Sequence, residues 1–484
     1  MAFVSASINA QTPTENRNQL PEIGVVASDA LTIEKEKILG DAIMKQLRGQ
    51  APLVNDPVLQ EYIQDLGNRL VIHADNTKFP FKFFIINNPV LNAFAFYGGH
   101  VGMHSGLISR AQTESELASV VAHEIAHVTQ RHLARRVQAQ QRNSPLQLAS
   151  MLGSILVALA DPQAGLAALS ASVAGNQQAQ INFTRNNEQE ADNIGINILY
   201  RAGFDPAGAP AFFSRLAEQA RGQSTQLAFL RTHPLPQERV AETITRARTY
   251  GERRLPPSLS FHLAQARINA RYMLTPQRAF EYYQRAVSQT RAAHLSTVSS
   301  NDAIHRASKY GLAIAYFEQE NYQEAEKIVL DLLLDDKENL FYLDLLTDVY
   351  IKQEKYSSAI NLLTPIWQLK PKNRVLALNL ANAHMFSENY GTSIQILRDL
   401  LLVDNQDLLS YQLLQDAYQR TQNKKEAHQT QAEIYALISA YSLAIDELQF
   451  AYNFAGTDNI EKQRIKGRIE QIRKSQEMMQ RLSL

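Results

Sequence analysis

The residues best equipped for chemistry form the pentapeptide His123-Glu124-Ile125-Ala126-His127. On a helix, positions four apart share a face, so both imidazoles can address one metal ion. Glu124, beside them, is suited to take a proton from an attacking water. Two His do not complete a catalytic zinc site, which uses three protein ligands and leaves a further position open. The missing ligand is expected on another helix. About sixty residues on, Asn187-Glu188-Gln189-Glu190-Ala191-Asp192 offers Glu188 and Asp192 on one helical face, with Glu190 turned away. Glu188 is expected to complete the ligand set, and Asp192 to hold a ligand imidazole from behind. The expected cofactor is therefore one Zn2+ per chain, although affinity order alone would also admit cobalt or copper in vitro. His100, His104 and His132 lack such context and read as surface or packing residues.

The elements that must position these residues are legible in the apolar pattern. Apolar residues recur at three and four from Thr32 to Arg48 and from Pro57 to His73, predicting two amphipathic helices. Phe79 to Asn88 is aromatic and β-branched, and Val90 to Met103 continues through Gly98-Gly99, predicting a small antiparallel sheet. The metal-binding helix should run from Thr113 to about Arg136, and a further helix from about Asn182 to Ala202, closed by Gly203. Between them, the Ala/Leu-rich stretch Ser144 to Ala174 reads either as a buried helix pair or as a flap or membrane-facing lid.

The second half carries a repeat of 34 residues. Leu312, Leu346, Leu380 and Leu414 recur in register, as do Tyr316, Tyr350, His384 and Tyr418, and Ala325, Ala359, Ser393 and Ala427. This pattern resembles the tetratricopeptide repeat (TPR), in which a small residue lets two antiparallel helices approach. Ser260 to Gln289 reads as a weaker hairpin with Ala279 in the small-residue role, and Glu433 to Gln480 as a charged cap.

Composition narrows the function classes. The chain has 484 residues, 45% of them hydrophobic, enough for developed cores. Lys+Arg and Asp+Glu both total 48, so no net field favours nucleic acid. Cysteine is absent, which removes disulfides, thiolate ligands and a cysteine nucleophile. The longest apolar-rich run, Leu148 to Ala160, falls short of the ~20 residues of a membrane span, so no transmembrane segment is expected. Met1 to Ala10 (MAFVSASINA) followed by a polar stretch reads as a signal-peptide remnant or a disordered N-terminus.

The HEIAH motif followed by ExxAD resembles the M48 family of metallopeptidases. Thr232-His233-Pro234, with Arg239 six residues after the His, resembles the family's His-Pro segment over the active site, and Asn92-Ala93-Phe94-Ala95 its cleft-edge strand. The resemblance implies a zincin-like α+β metallopeptidase domain in a mostly α chain, followed by an all-α TPR solenoid. The expected divisions are residues 1–30, 31–255 and 256–484. His233 has two candidate roles: it, or Arg239, could stabilise the oxyanion in the active state, or His233 could occupy the open zinc position as a resting latch. With TPR repeats behind the peptidase, the chain resembles a periplasmic Gram-negative branch of the family. Members of that branch degrade outer-membrane proteins that stall in assembly and associate with the outer-membrane β-barrel assembly machinery. The implied substrate is an unfolded or misassembled protein; the rival expectation is a chaperone or adaptor acting through the TPR domain with the peptidase latched.

Overall fold

The first helix begins where its sequence supplies a cap: Thr32 Oγ1 accepts from the Lys35 amide at 3.3 Å, opening α1 (Ile33–Gln50). α2 (Pro57–Val71) starts on the same logic, with Asp56 as the capping acceptor and Pro57 at its first position. The structure is a computed structural model and describes residues 31–141, 177–222, 229–230, 233–234, 237–251, 253–296 and 302–481. The expected signal remnant, the Ser144–Ala174 stretch and Thr232 lie outside the described residues.

Three strands follow: β1 (Lys82–Ile86), β2 (Ala93–Phe96) and β3 (His100–His104). β2 and β3 form the expected antiparallel hairpin, with Ala93 opposite Met103 and Phe96 opposite His100. Gly98 and Gly99 make the turn at φ 77° and 85°. A Cβ on Gly99 would stand 2.6 Å from the Pro80 carbonyl oxygen, so the turn requires glycine twice over. The sheet is nevertheless mixed rather than wholly antiparallel. The hairpin inserts β3 beside β1 in parallel register, Lys82 opposite His100, giving the order β1-β3-β2. That order leaves β2 at the edge of the sheet.

After the short α3 (Ser105–Arg110), α4 (Glu114–Thr129) carries the His-Glu-x-x-His segment, capped by Thr113 accepting from the Glu116 amide. It stops seven residues earlier than the periodicity predicts. Arg131 adopts a left-handed φ of 52°, and α5 (His132–Gln141) restarts at an angle. The turn is held by Arg131 itself, buried, donating from Nε to Glu36 Oε1 at 2.8 Å and from Nη2 to the Leu31 carbonyl at 2.5 Å. Such a turn in a non-glycine residue costs free energy, and these buried contacts hold it in place.

α6 (Gln177–Arg201) lies against α4, and Gly195 makes the approach possible: a Cβ there would sit 3.1 Å from the His123 backbone nitrogen. Gly203, at φ 88°, terminates the turn after α6 as expected. α7 (Gly208–Gly222) packs on α4, and α8 (Gln237–Thr249) on α6 and α7.

Helices α9 (Leu259–Ile268) and α10 (Pro276–Ser296) occupy the stretch predicted as a hairpin, but both pack mainly on the helix that follows them; Ala279 is fully buried and Tyr283 Oη donates to the Ala266 carbonyl at 3.3 Å. The repeats follow as antiparallel pairs: α11 (Asp302–Glu318) with α12 (Tyr322–Asp335), α13 (Leu340–Lys352) with α14 (Tyr356–Leu369), α15 (Arg374–Phe386) with α16 (Tyr390–Val403), and α17 (Leu408–Arg420) with α18 (Lys424–Leu437). α19 (Tyr441–Phe454) and α20 (Asn459–Arg481) close the array. Each of the four pairs turns on a left-handed residue: Glu320, Glu354, Glu388 and Gln422 have φ of 61°, 58°, 63° and 57°. The next amide bonds back to the carbonyl of the repeated Tyr or His, as from Asn321 to Tyr316 and from Asn389 to His384, both at 2.9 Å. The 34-residue register of the sequence is therefore also a register of backbone geometry. Ala325, Ala359 and Ser393 are fully buried where paired helices meet, while Ala427 is only partly so.

The repeats fold back over the first half of the chain. α2 lies against α13 and α15, and one apolar cluster runs from Val54 to Tyr418. Its polar centre is Arg267, fully buried, with Nε 2.6 Å from Asp56 Oδ2, Nη2 2.6 Å from Asp344 Oδ2, and Nη1 donating to Tyr310 Oη at 2.9 Å. No helix among the described residues is long and apolar enough to cross a membrane.

Candidate metal centre

α4 and α6 bring the sequence-predicted donors together. His123 Nε2 and His127 Nε2 lie 3.0 Å apart, and each is 3.4 Å from a Glu188 carboxylate oxygen. His233 Nδ1 joins them, 3.3 Å from His123 Nε2 and 3.1 Å from Glu188 Oε2. One donor atom from each of these four residues lies within 4.8 Å of the others.

The supports behind the donors are equally ordered. Asp192 Oδ1 stands 3.0 Å behind His123 Nδ1, an ion-pair distance, on the side of the ring away from the cluster. Arg239 donates from Nε and Nη2 to the two Asp192 oxygens at 2.7 and 2.8 Å, sets Nη1 3.0 Å from Glu188 Oε2, and donates to the Pro234 carbonyl. The His233 ring stacks on Phe229, and its backbone amide donates to the Phe229 carbonyl at 2.8 Å. Glu124 is buried beside them against the Ala95 backbone of the edge strand. Its Oε1 has no hydrogen-bond partner among the described residues and stands 3.4 Å from His233 Nε2.

The same arrangement is a known sequence type. Residues 57–247 match the family model "Peptidase family M48", and residues 350–418 match a tetratricopeptide repeat model. The chain is 42% identical over 455 residues to the putative beta-barrel assembly-enhancing protease of Vibrio cholerae, covering 94% of this chain and 92% of that protein. It is likewise 42% identical over 468 residues to the beta-barrel assembly-enhancing protease of Escherichia coli K12, covering 96% and 93%. The chain belongs to peptidase family M48. A more distant relative, the mitochondrial metalloendopeptidase OMA1 of Schizosaccharomyces pombe, is 29% identical over 180 residues, covering 37% of this chain and 50% of its own. The protein is a metalloendopeptidase with TPR repeats behind its catalytic half.

The donors of this M48 site suit a metal ion. Three imidazole nitrogens and a carboxylate crowd one point in a buried pocket, an arrangement that costs free energy unless a cation or a shared proton compensates it. In the metal-free protein the proton sits on His123: burial opposes its charge, but hydrogen bonds to Asp192 and Glu188 hold it up at about 10. Burial, against the pull of Glu188, keeps His127 well below the usual imidazole range, with the other His charges adding to the depression. Burial also works against ionisation of Glu188, yet His233 and His127 hold its carboxyl well below the ordinary value. Glu124 moves the other way, pushed up mainly by burial.

Two contributors escaped sequence reasoning. His132, read there as a surface or packing residue, is buried with its Nδ1 2.8 Å from His127 Nδ1. Glu190, which does turn away from the ligand cluster, meets His132 Nε2 at 3.2 Å and Arg135 Nη1 at 2.8 Å. The signal that could have found them is the spacing of Glu188, Glu190 and Asp192: alternate faces of one helix can hold imidazoles on two sides. His100 and His104 do pack in the core, His100 stacking on Phe96 and both pushed down to about 4 mainly by burial.

Proposed function

We propose that the protein is a zinc-dependent endopeptidase of the Gram-negative periplasm that degrades misassembled outer-membrane proteins. Residues 31–255 form the catalytic unit, and residues 256–484 receive the substrate or the β-barrel assembly machinery. The observation that carries this reading is the convergence of His123, His127 and Glu188 beside a buried Glu124 oxygen that has no hydrogen-bond partner among the described residues, and beside an edge strand. The names of the long relatives, proteases that enhance β-barrel assembly, support the substrate class.

His123, His127 and Glu188 would hold the ion. A bound zinc supplies a water of near-neutral pKa and polarises the scissile carbonyl. Glu124 accepts the water proton and returns it to the leaving amine. The edge strand β2 pairs with an extended substrate through main-chain groups, which suits unfolded chains of varied sequence. Asp192 and Arg239 hold the ligands: every Arg239 nitrogen is engaged with Asp192, Glu188 or Pro234, which argues against Arg239 as an oxyanion donor. His233, with Nδ1 among the donors, is assigned the latch of the resting state.

The test is cleavage of an unfolded outer-membrane β-barrel protein by the full zinc-loaded chain and by His233→Ala. Faster cleavage by His233→Ala supports both peptidase and latch; equal or slower cleavage removes the latch. No cleavage by either protein favours the adaptor reading.

A further inference from the structure

His132 is neither a ligand nor the base, yet it is buried at the back of the site. On a straight helix a residue five positions after His127 would lie about 140° round the axis, facing away. The left-handed turn at Arg131, clamped by Glu36 and the Leu31 carbonyl, instead swings His132 back until its Nδ1 is 2.8 Å from His127 Nδ1. Two ring nitrogens at that separation share one hydrogen, one donating and the other accepting. The far side of the ring decides which. His132 Nε2 is 3.2 Å from Glu190 Oε2, an oxygen that also accepts from Arg135 Nη1 at 2.8 Å. A carboxylate so paired only accepts, so His132 carries its hydrogen on Nε2 and its Nδ1 is bare. His127 therefore donates from Nδ1, and its lone pair is fixed on Nε2, on the side of His123 and Glu188.

We propose that His132 and Glu190 are positioning residues that together fix the tautomer and ring angle of His127 for metal binding. The proposal rests on the metal-site reading above. It gives α6 two supporting roles, since Asp192 holds His123 directly and Glu190 holds His127 through His132. One helix thus sets both imidazoles of the His-Glu-x-x-His segment from behind while contributing the third ligand from between them.

The test is zinc affinity of the full chain, by competition with a chromophoric chelator at fixed pH, for the parent, His132→Leu, His132→Asn, Glu190→Ala and His123→Ala. His132→Leu should bind zinc about 10–100-fold more weakly. His132→Asn, whose amide oxygen falls near the lost Nδ1 and accepts the same hydrogen, should recover to within about threefold of the parent. Glu190→Ala should lose about tenfold, because the His132 ring is then free to take either tautomer. The absorption bands of the cobalt(II)-loaded protein should shift in His132→Leu and return in His132→Asn, which loss of packing alone would not produce. If His132→Leu fails to fold, Glu190→Ala carries the test, since that side chain is a third exposed. Parent-like affinity in His132→Leu and Glu190→Ala, with His123→Ala deficient, overturns the relay alone. Equal weakening in His132→Leu and His132→Asn also overturns it, and a parent that takes up no zinc overturns both the relay and the metal site.

Discussion

Replacing Arg267 by Ala should separate the two halves of the molecule energetically. The guanidinium is fully buried and spans Asp56, which caps α2 in the catalytic half, and Asp344 in the second repeat pair, while also donating to Tyr310. Removing it leaves two buried carboxylates, of which Asp344 retains, among the described residues, a donated bond from Asn379 Nδ2 at 2.9 Å. Breaking such a buried pair from one side costs about 3–5 kcal/mol, with Arg271 Nη1, 3.9 Å from Asp56 Oδ2, left as a partial counter-charge. Unfolding entropy of about 2.1 cal/mol/K per residue turns that into a melting shift of about 3–5 °C if all 484 residues melt as one unit. The shift is about twice as large if the repeat half melts alone. The triple change Arg267→Met, Asp56→Asn, Asp344→Asn removes the charges together and keeps a capping acceptor on α2, so it should recover most of the loss. Differential scanning calorimetry of the metal-loaded chain, read with limited proteolysis, distinguishes one transition from two. A shift under about 1 °C for Arg267→Ala, or a triple variant no more stable than the single one, would refute the assignment of Arg267 as the joint.

Three further outcomes follow from the geometry. In the metal-free protein His123 is held up at about 10, so at neutral pH it carries a proton that zinc must displace. Binding should release close to one proton, and apparent affinity should improve about tenfold per unit as pH rises from about 6 to 8; titration calorimetry in buffers of different ionisation heat reads this directly, and zero release contradicts it. Gly195→Val puts a branched side chain where a Cβ already meets the His123 backbone at 3.1 Å, so it should cost about 1–3 kcal/mol in a denaturant melt and weaken zinc binding; unchanged zinc affinity would show that α4 and α6 can part without moving the ligand. Glu354→Gly and Glu388→Gly relieve left-handed residues costing about 1–2 kcal/mol each, less the entropy glycine loses, so each should stabilise the repeats by about 0.5–1 kcal/mol in thermal melts; a lower melting temperature would contradict this.

The parts of this molecule that were legible in sequence are those in which one residue type does one local job. The His-Glu-x-x-His spacing sets two imidazoles on one face whatever surrounds them, and Glu188 and Asp192 follow from the same helical arithmetic. The repeat was readable because Leu, Tyr and Ala recur at positions with one packing role each. What was hidden depends on contacts distant in the chain. Nothing local marks Arg131 as a helix terminator: its left-handed conformation is sustained by Glu36, almost a hundred residues earlier. With the helix read as continuous, His132 faced outward and Glu190 had nothing to meet. The parallel pairing of β1 with β3 was hidden for a similar reason, since hairpin signals describe only neighbours in sequence.

The most direct test is metal content measured alongside cleavage, on the intact chain and on Glu124→Gln. One zinc per chain in both proteins, with hydrolysis of an unfolded protein by the intact chain and none by Glu124→Gln, is the predicted result. Comparable hydrolysis by the two proteins, or an intact chain that takes up no zinc after repletion, would contradict it.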